Sequence, residues 1–284
     1  MLRLCMLLLL PVFASAAAAQ GLEGRLKKIA DTRTITIAHR TDAAPFSFID
    51  ANKEITGYSV DLCNRIVTLI ERQIGVTGLK VKYVPVTTQT RFDVIAKGQA
   101  DMECGSSTVT LSRLKLVDFS SFTFIETTGL MVKASSGVAS IADLSGKRIA
   151  VVGGTTNERA VNTVVKRRGL TATVVPMKNS QEAIAALESG AVDAFASDGL
   201  LLIGGLIQAK DPKALALLKD QLSFEPYGIA LPRGDHSFRL AVNTALAQIY
   251  SSDDINAIYN RWFASFGKPT PITEAVYIFG SIPE

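Results

Sequence analysis

Apolar positions along the chain follow two periods, that of strands and that of helices. Residues 34–38 alternate between apolar and polar, as in a strand, and residues 59–74 carry apolar side chains at helical spacing. The pattern continues with a predicted strand at 79–86, a helix at 90–97 that ends at Gly98, and a strand at 100–104. Strands that alternate with helices predict an α/β fold with a largely parallel sheet.

A second series of the same kind follows the extended stretch 119–133. Its predicted elements are a strand at 148–152, a helix from Thr155, a strand at 171–177, a helix at 180–189 and a strand at 192–197. In both series a helix ends at a glycine, Gly98 or Gly190, and an aspartate follows three residues later, Asp101 or Asp193. The repeat suits two lobes of related topology.

The C-terminal part predicts a strand at 221–231 and two amphipathic helices at 236–250 and 253–266. We expect these elements to return to the first lobe. The chain would then cross between the lobes twice, near residues 122–126 and near residues 223–226. Two crossing strands form a hinge that favours clamshell motion.

The length of 284 residues fits two domains of roughly 100–150 residues each. Arg3, an apolar run at 4–13 and a small-residue tail at 14–19 are typical of a secretory signal peptide, so we expect a periplasmic mature chain. The predicted division is a signal peptide at 1–19, a first lobe at 20–125 and 225–284, and a second lobe at 126–224.

Composition and charge exclude several classes of function. With 48% hydrophobic and 20% charged residues, the chain can bury a core and stay soluble. The formal net charge is +4, and the basic residues are scattered among acids, which argues against a nucleic-acid-binding surface. The two histidines, His39 and His236, indicate no metal cluster, and no Ser–His–Asp spacing suggests a nucleophile. We predict no cofactor.

Two cysteines remain once the signal peptide, with Cys5, is removed. Cys63 lies on the apolar stripe in the first turn of its predicted helix, and Cys104 lies at the C-terminal end of a predicted strand, at the same edge of the α/β layer. We predict a disulfide between them in an oxidising compartment. Two buried free thiols are the alternative, because cysteine is also a common core residue.

Polar residues follow four of the predicted strands, where α/β sheets bind their ligands. They are His39 with Arg40, the segment 105–108, the segment 153–156, and Asp198. The Gly-Gly-Thr-Thr segment opens a helix whose free N–H groups favour a carboxylate. Thr155 or Thr156 could instead simply cap that helix.

Charged side chains near these strand ends complete the candidate site. Arg40, Arg91 and Arg113 could each clamp a carboxylate, although a solvated surface position is the ordinary alternative for an arginine. Asp198 could receive an ammonium group, cap the helix that follows it, or do both.

Seven groups of short segments carry a family resemblance. They are His39-Arg40 with 45–48, 57–62, 85–91, 103–108 with Arg113, 154–156, 187–190, and Tyr227-Gly228. Together they resemble the family 3 solute-binding proteins of amino-acid ABC importers, particularly the glutamate/aspartate-binding branch, over nearly all of the mature chain. The resemblance implies a two-lobed periplasmic-binding-protein fold of type II, a monomer, and a permease partner in the membrane.

The resemblance also implies roles for individual residues. Arg113 would clamp the α-carboxylate of the ligand, assisted by Ser106, Thr108 and Thr155 or Thr156, and Asp198 would take the α-ammonium group. Arg40, Arg91 and Thr88 would form the pocket for the ligand side chain.

Two arginines in that pocket indicate an acidic amino acid, because a neutral ligand would leave buried charge uncompensated. Ser180 stands where that branch has a histidine, and serine adds a hydrogen bond but no charge. Glutamate, aspartate and a longer or amidated relative therefore stay open.

Binding and delivery, without catalysis, is the predicted function. The alternative is an enzyme on the same scaffold that resembles cyclohexadienyl dehydratases, with Glu103 or Glu126 as the acid. The other charged and polar residues of the cleft are mostly donors and cations, which suit the holding of charge.

Overall fold

The structure is a computed structural model that describes residues 21–283, so the predicted signal peptide lies outside the described residues. Its helices are α1 Gly24–Thr32, α2 Tyr58–Gln73, α3 Arg91–Ala96, α4 Thr156–Arg168, α5 Ser180–Ser189, α6 Gly199–Gln208, α7 His236–Tyr250, α8 Asp254–Phe263 and α9 Pro271–Gly280. Its strands are β1 Thr34–His39, β2 Asp42–Ala43, β3 Ser47–Ile49, β4 Ile55–Thr56, β5 Lys80–Pro85, β6 Met102–Cys104, β7 Asp118–Lys133, β8 Arg148–Val152, β9 Thr173–Met177, β10 Ala194–Asp198, β11 Leu215–Leu217 and β12 Phe224–Leu231.

The main sheet has the strand order β5-β1-β6-β12-β7-β10-β8-β9, and β11 adds to β7. Strand β1 is parallel to β5 and β6, and β8 is parallel to β9 and β10. The antiparallel pairs of this sheet all involve β7 or β12. The α/β prediction with mostly parallel sheets is therefore confirmed, and the antiparallel pairs arise where the chain passes between the two parallel groups.

The two long strands β7 and β12 join the halves of the molecule. Thr127 pairs with Phe224 and Ile125 pairs with Pro226, so the two predicted crossings lie side by side in one antiparallel ladder. We call the part with β1, β5, β6 and helices α1–α3 and α7–α9 the first half, and the part with β8–β11 and α4–α6 the second half. The exact lobe boundaries at residues 125 and 225 stay a prediction.

Each half has its own apolar core. In the first half α2 and α7 pack together over β1, with Ile35, Ile66 and Phe238 fully buried. In the second half α4 and α5 cover β8 and β10, and Ile149 and Val161 are fully buried there. Burial of this apolar surface stabilises each half separately.

The glycine–aspartate repeat has the same structural role in both halves. Gly98, two residues after the end of α3, and Gly190, directly after α5, adopt positive φ angles of 71° and 80°. The buried Asp101 carboxylate then accepts a hydrogen bond from the Thr36 N–H at 2.7 Å, and Asp193 accepts one from the Arg148 N–H at 2.8 Å. Each aspartate thus ties the start of its own strand segment to the neighbouring parallel strand.

The disulfide between Cys63 in α2 and Cys104 at the end of β6 is present, with an S–S distance of 2.02 Å. The alternative of two free thiols is therefore wrong. Other parts of the fold had no sequence-based prediction: α1, α9, β11 and the small antiparallel sheet β2-β3-β4. The predicted helix 253–266 is shorter, because α8 ends at Phe263 and a 3-10 turn follows.

None of the helices within residues 21–283 is long and apolar enough to cross a membrane.

Candidate functional site

A narrow cavity of about 20 Å³ lies between the two halves. All the predicted ligand-binding residues except Arg113 line it, and both halves contribute. The lining residues are Arg40, Ala43, Thr88, Arg91, Ser106, Thr108, Val152, Thr155, Thr156, Asn157, Ser180, Ser197, Asp198 and Leu201. The strand ends and helix starts identified in the sequence therefore meet at one place.

The two halves touch each other around this cavity. The Thr108 hydroxyl of the first half lies 3.2 Å from the Thr156 hydroxyl of the second half, and the Gln89 amide donates to the Gly153 carbonyl oxygen at 3.1 Å. Direct hydrogen bonds across the cleft define a closed arrangement of the two halves.

Arg91 begins α3 and presents a buried positive charge to the cavity, with only 2% of its surface exposed. Its Nη1 donates to the Ser106 carbonyl oxygen at 3.3 Å, while its Nε has no hydrogen-bond partner and no acidic side chain lies within ion-pair distance among residues 21–283. Burial, and next the like charge of Arg113, lower the pKa of Arg91 to about 9. An anion in the cavity would relieve both effects.

Arg40, directly after β1, is also buried, but its charge is compensated. Its Nη2 donates to Asp42 Oδ1 at 2.5 Å, and its Nε is without a hydrogen-bond partner in the described chain. Thr88 lines the same cavity, and its buried hydroxyl likewise has no partner within residues 21–283. These free polar groups can hydrogen-bond a ligand, and leaving them unpaired is costly.

Arg113 lies behind the cavity rather than in its lining. It begins the 3-10 turn Arg113–Lys115, its Nη1 donates to the Thr108 carbonyl oxygen at 2.7 Å, and its guanidinium stacks 5.0 Å from the ring centre of Phe92. Burial lowers its pKa. In this closed arrangement Arg113 holds the segment that carries Ser106 and Thr108, and direct contact with a ligand carboxylate stays a prediction.

Helix α4 begins in the cavity with the threonine pair. The Thr155 hydroxyl accepts a hydrogen bond from the Glu158 N–H at 3.2 Å and donates to the Val152 carbonyl oxygen at 2.6 Å, so Thr155 is the N-cap. Thr156 is the first helical residue and its hydroxyl faces Thr108. Both the capping interpretation and the position in the cavity are therefore correct for this pair.

Asp198 ends β10 and is buried in the wall of the second half. Its Oδ1 accepts from the Asn157 side-chain amide at 2.6 Å, and its Oδ2 accepts from the Tyr227 hydroxyl. Burial, and next the charge of Glu225, raise its pKa to about 6. Asp198 occupies the N-cap position of α6, but the predicted capping by its side chain is wrong because both oxygens bind elsewhere.

Three residues around Asp198 were not predicted as part of the site. Asn157 and Tyr227 donate to Asp198, and the buried Glu225 accepts from the Thr108 hydroxyl at 2.7 Å. Glu225 is the one charged residue in the strand predicted at 221–231, and this was the available signal for it. The contacts of Asn157 with Asp198 join positions 41 residues apart, which no local pattern reveals.

The two acids considered for catalysis, Glu103 and Glu126, are buried but are not lining residues of the cavity. Glu103 accepts from the Ser107 hydroxyl at 2.6 Å. Glu126 lies in β7 beside the first turn of α6 and accepts from the Thr127 N–H at 3.1 Å. Burial, and next the charge of Asp198, raise the pKa of Glu126 to about 8.

Ser180 starts α5, capped by the Asn179 side chain, and lines the cavity from the second half. Among residues 21–283 no group of three or more His, Cys, Asp or Glu side chains is arranged to hold a metal ion.

Comparison with known proteins gives a consistent family. Residues 35–265 match the model of bacterial extracellular solute-binding proteins, family 3. An L-glutamate/L-aspartate-binding protein of Pseudomonas aeruginosa is 36% identical over 262 residues, which cover 92% of this chain and 85% of that protein. A glutamate/aspartate import solute-binding protein of Escherichia coli is 32% identical and covers 87% of this chain and 82% of its own length.

Solved structures agree on the fold. An ancestral arginine-binding protein bound to glutamine has a TM-score of 0.71 and 29% identity, over 81% of this chain and 97% of that chain. An ancestral amino-acid-binding protein described as a precursor of cyclohexadienyl dehydratase has a TM-score of 0.73 and 27% identity, over 84% of this chain and 100% of its own. The two-lobed fold predicted from the sequence is thereby confirmed.

Proposed function

This chain belongs to the bacterial extracellular solute-binding proteins of family 3, and on that premise we propose that it is the periplasmic component of an amino-acid ABC importer that binds glutamate or aspartate. The observation that carries the proposal is the pairing of opposite charges across one closed cavity. Arg91 faces the cavity from the first half without an acidic partner in the described chain, and Asp198 faces it from the second half.

An acidic amino acid complements this arrangement group by group. Its α-ammonium group would bind Asp198, and an ion pair there would favour the ionised carboxylate. Its α-carboxylate would bind the hydroxyl and backbone donors of Ser106, Thr108 and the start of α4 at Thr156, with Arg113 behind them. Its side-chain carboxylate would bind Arg91, with Arg40, Thr88 and Ser180 as further donors.

Closure would follow from contacts that the ligand makes with both halves at once. A ligand shifts an open–closed equilibrium only through its differential affinity for the two states. We propose lobes at 20–125 with 225–284 and at 126–224, which rotate about β7 and β12. The leader at 1–19 would direct export, and the closed monomer would dock on the membrane permease.

The relatives that match most of the chain are named as binding or import proteins, which supports delivery rather than turnover. The dehydratase alternative draws on one structural neighbour, a precursor of such an enzyme. It would require a carboxyl group in the cavity that transfers a proton. Glu103 and Glu126 do not line the cavity, and we assign Asp198, which does, to the ammonium group of the ligand. Incubation with arogenate or prephenate tests this alternative, and measurable elimination of water would establish it.

Calorimetric titration of the mature chain, refolded to remove carried-over ligand, tests the proposed function. We expect tight binding of glutamate or aspartate and no binding of arginine. Arg91→Ala should weaken acid binding at least a hundredfold, because a charge-assisted bidentate contact is lost, and Arg91→Lys should restore only part of it. Arg72→Ala, which removes an exposed arginine at the end of α2, is the matched control. Binding of basic amino acids alone would refute the acidic ligand.

A further inference from the structure

An acidic side chain behind the cavity contacts one of the arginines that line it. Asp42 begins the short strand β2, two residues after Arg40, and its Oδ1 lies 2.5 Å from Arg40 Nη2. The side chains are 13% and 5% exposed, so the ion pair is largely shielded from water. A close, poorly solvated ion pair of this kind is stronger than an exposed one.

The two arginines assigned to the ligand side chain are therefore electrostatically different. Arg40 is neutralised by Asp42, whereas Arg91 has no acidic partner within residues 21–283. Arg40 still offers an unpartnered Nε, and Thr88 offers an unpartnered hydroxyl, in the part of the molecule that the structure describes. The buried Glu103 acts on Arg91 only from beyond ion-pair distance, and its charge raises the pKa of Arg91 without offsetting the effect of burial. This end of the cavity thus combines one cation that has no direct acidic partner in the described chain with neutral or neutralised hydrogen-bonding groups.

We propose that Asp42 sets the selectivity between carboxylate and carboxamide side chains, so that the site accepts glutamine beside glutamate. This inference rests on the proposed function and specifies its ligand range. With Asp42 present, Arg40 stays compensated when an uncharged side chain enters, which removes most of the penalty for a buried lone cation. The same carboxylate repels a ligand carboxylate and so limits the preference for acids.

The polar groups present can also satisfy an amide. A carboxamide oxygen can accept from Arg40 or Arg91, and the amide N–H₂ needs an acceptor, which the Thr88 hydroxyl provides. A carboxylate would accept from all three groups. The difference in affinity between glutamate and glutamine then depends mainly on the net charge around the ligand side chain, which Asp42 controls.

Asp42→Asn tests the inference because it retains the shape and an oxygen acceptor for Arg40 but removes the negative charge. We expect the affinity ratio of glutamate to glutamine, measured by calorimetry on the ligand-free full chain, to rise at least tenfold over the wild type. Asp42→Ser, which removes the charge with a smaller side chain, should change the ratio in the same direction. Asp31→Asn is the control, since Asp31 pairs with Lys27 on an exposed face of α1.

The possible outcomes separate the two proposals. A ratio within twofold of the wild type in both variants would overturn the role of Asp42 and leave the proposed function intact. Wild-type discrimination against glutamine of more than about a hundredfold would also overturn it, even if neither variant folds. If the wild type binds none of glutamate, glutamine and aspartate, the proposed function itself is wrong.

Discussion

Glu126 lies in the ladder between β7 and β12, where its partner residue is Glu225 and where the surroundings exclude water. Burial raises its pKa to about 8, from the ordinary value of 4.5. In the folded chain the carboxyl is therefore protonated at neutral pH, whereas in the unfolded chain it ionises near its ordinary value. Between these two pH values unfolding releases a proton, so the free energy of unfolding falls as the pH rises.

The size of the effect follows from the pKa difference. One proton corresponds to about 1.4 kcal/mol per pH unit, so the wild-type chain loses on the order of 4 kcal/mol through Glu126 between about pH 5 and about pH 8. Glu126→Gln resembles the protonated carboxyl in shape, still accepts from the Thr127 N–H and does not titrate. We expect this variant to match the wild type closely near pH 5 and to be several kcal/mol more stable near pH 9.

Urea unfolding of the ligand-free chain at about pH 5, 7 and 9 measures this difference. Groups that titrate in both chains and do not interact with Glu126 cancel when the two chains are compared. Glu274→Gln, at an exposed position in the first turn of α9, should show no such trend. A stability difference between the wild type and Glu126→Gln that is the same at all three pH values would refute a buried neutral carboxyl.

Three further predictions concern the disulfide, a helix cap and the wall around Asp198. Replacing both Cys63 and Cys104 by serine should lower the free energy of unfolding by about 3–4 kcal/mol, because the bridge joins positions 41 residues apart; an unchanged urea midpoint would contradict this. Thr155→Ala should cost about 1 kcal/mol in thermal unfolding experiments, with Thr155→Ser retaining most of the stability; equal losses in both would argue against the cap. Tyr227→Phe removes a hydrogen-bond donor to Asp198, so the pKa of Asp198 should rise further and less of its carboxylate should be ionised near pH 6. We expect amino-acid binding to weaken about tenfold at pH 6 and less at pH 8. Calorimetry at both pH values measures this, and an unchanged affinity at pH 6 would contradict the prediction.

The sequence predicted the long, strongly periodic elements well. Helices α2, α5 and α7 were located within one residue at each end, because each buries one continuous apolar stripe. Helix α9 was missed for the opposite reason: Val276 and Tyr277 are buried, but the neighbouring Ile278 and Phe279 are exposed, so no stripe is visible. Strands β2 and β4 have two residues each and are too short to show any period.

The site was predictable to the extent that topology determines it. The rule that ligands bind beyond the carboxyl ends of strands identified Arg40, Asp198 and the segments 105–108 and 153–156, whereas Thr88 and Ser180 came from the family resemblance. This rule could not predict which acidic side chain forms an ion pair with which arginine. Whether Arg40 or Arg91 carries a free charge depends on which acid lies within a few ångströms, and that is a matter of side-chain geometry.

The ladder between β7 and β12 also affects how the protein can be engineered. Because Ile125 and Pro226 are direct neighbours, the chain between them leaves and re-enters the first half at a single place. The intervening segment is thus a continuous insert with adjacent ends. We expect that it can be exchanged for the corresponding segment of a relative through one pair of junctions, with α1 and α9 left untouched.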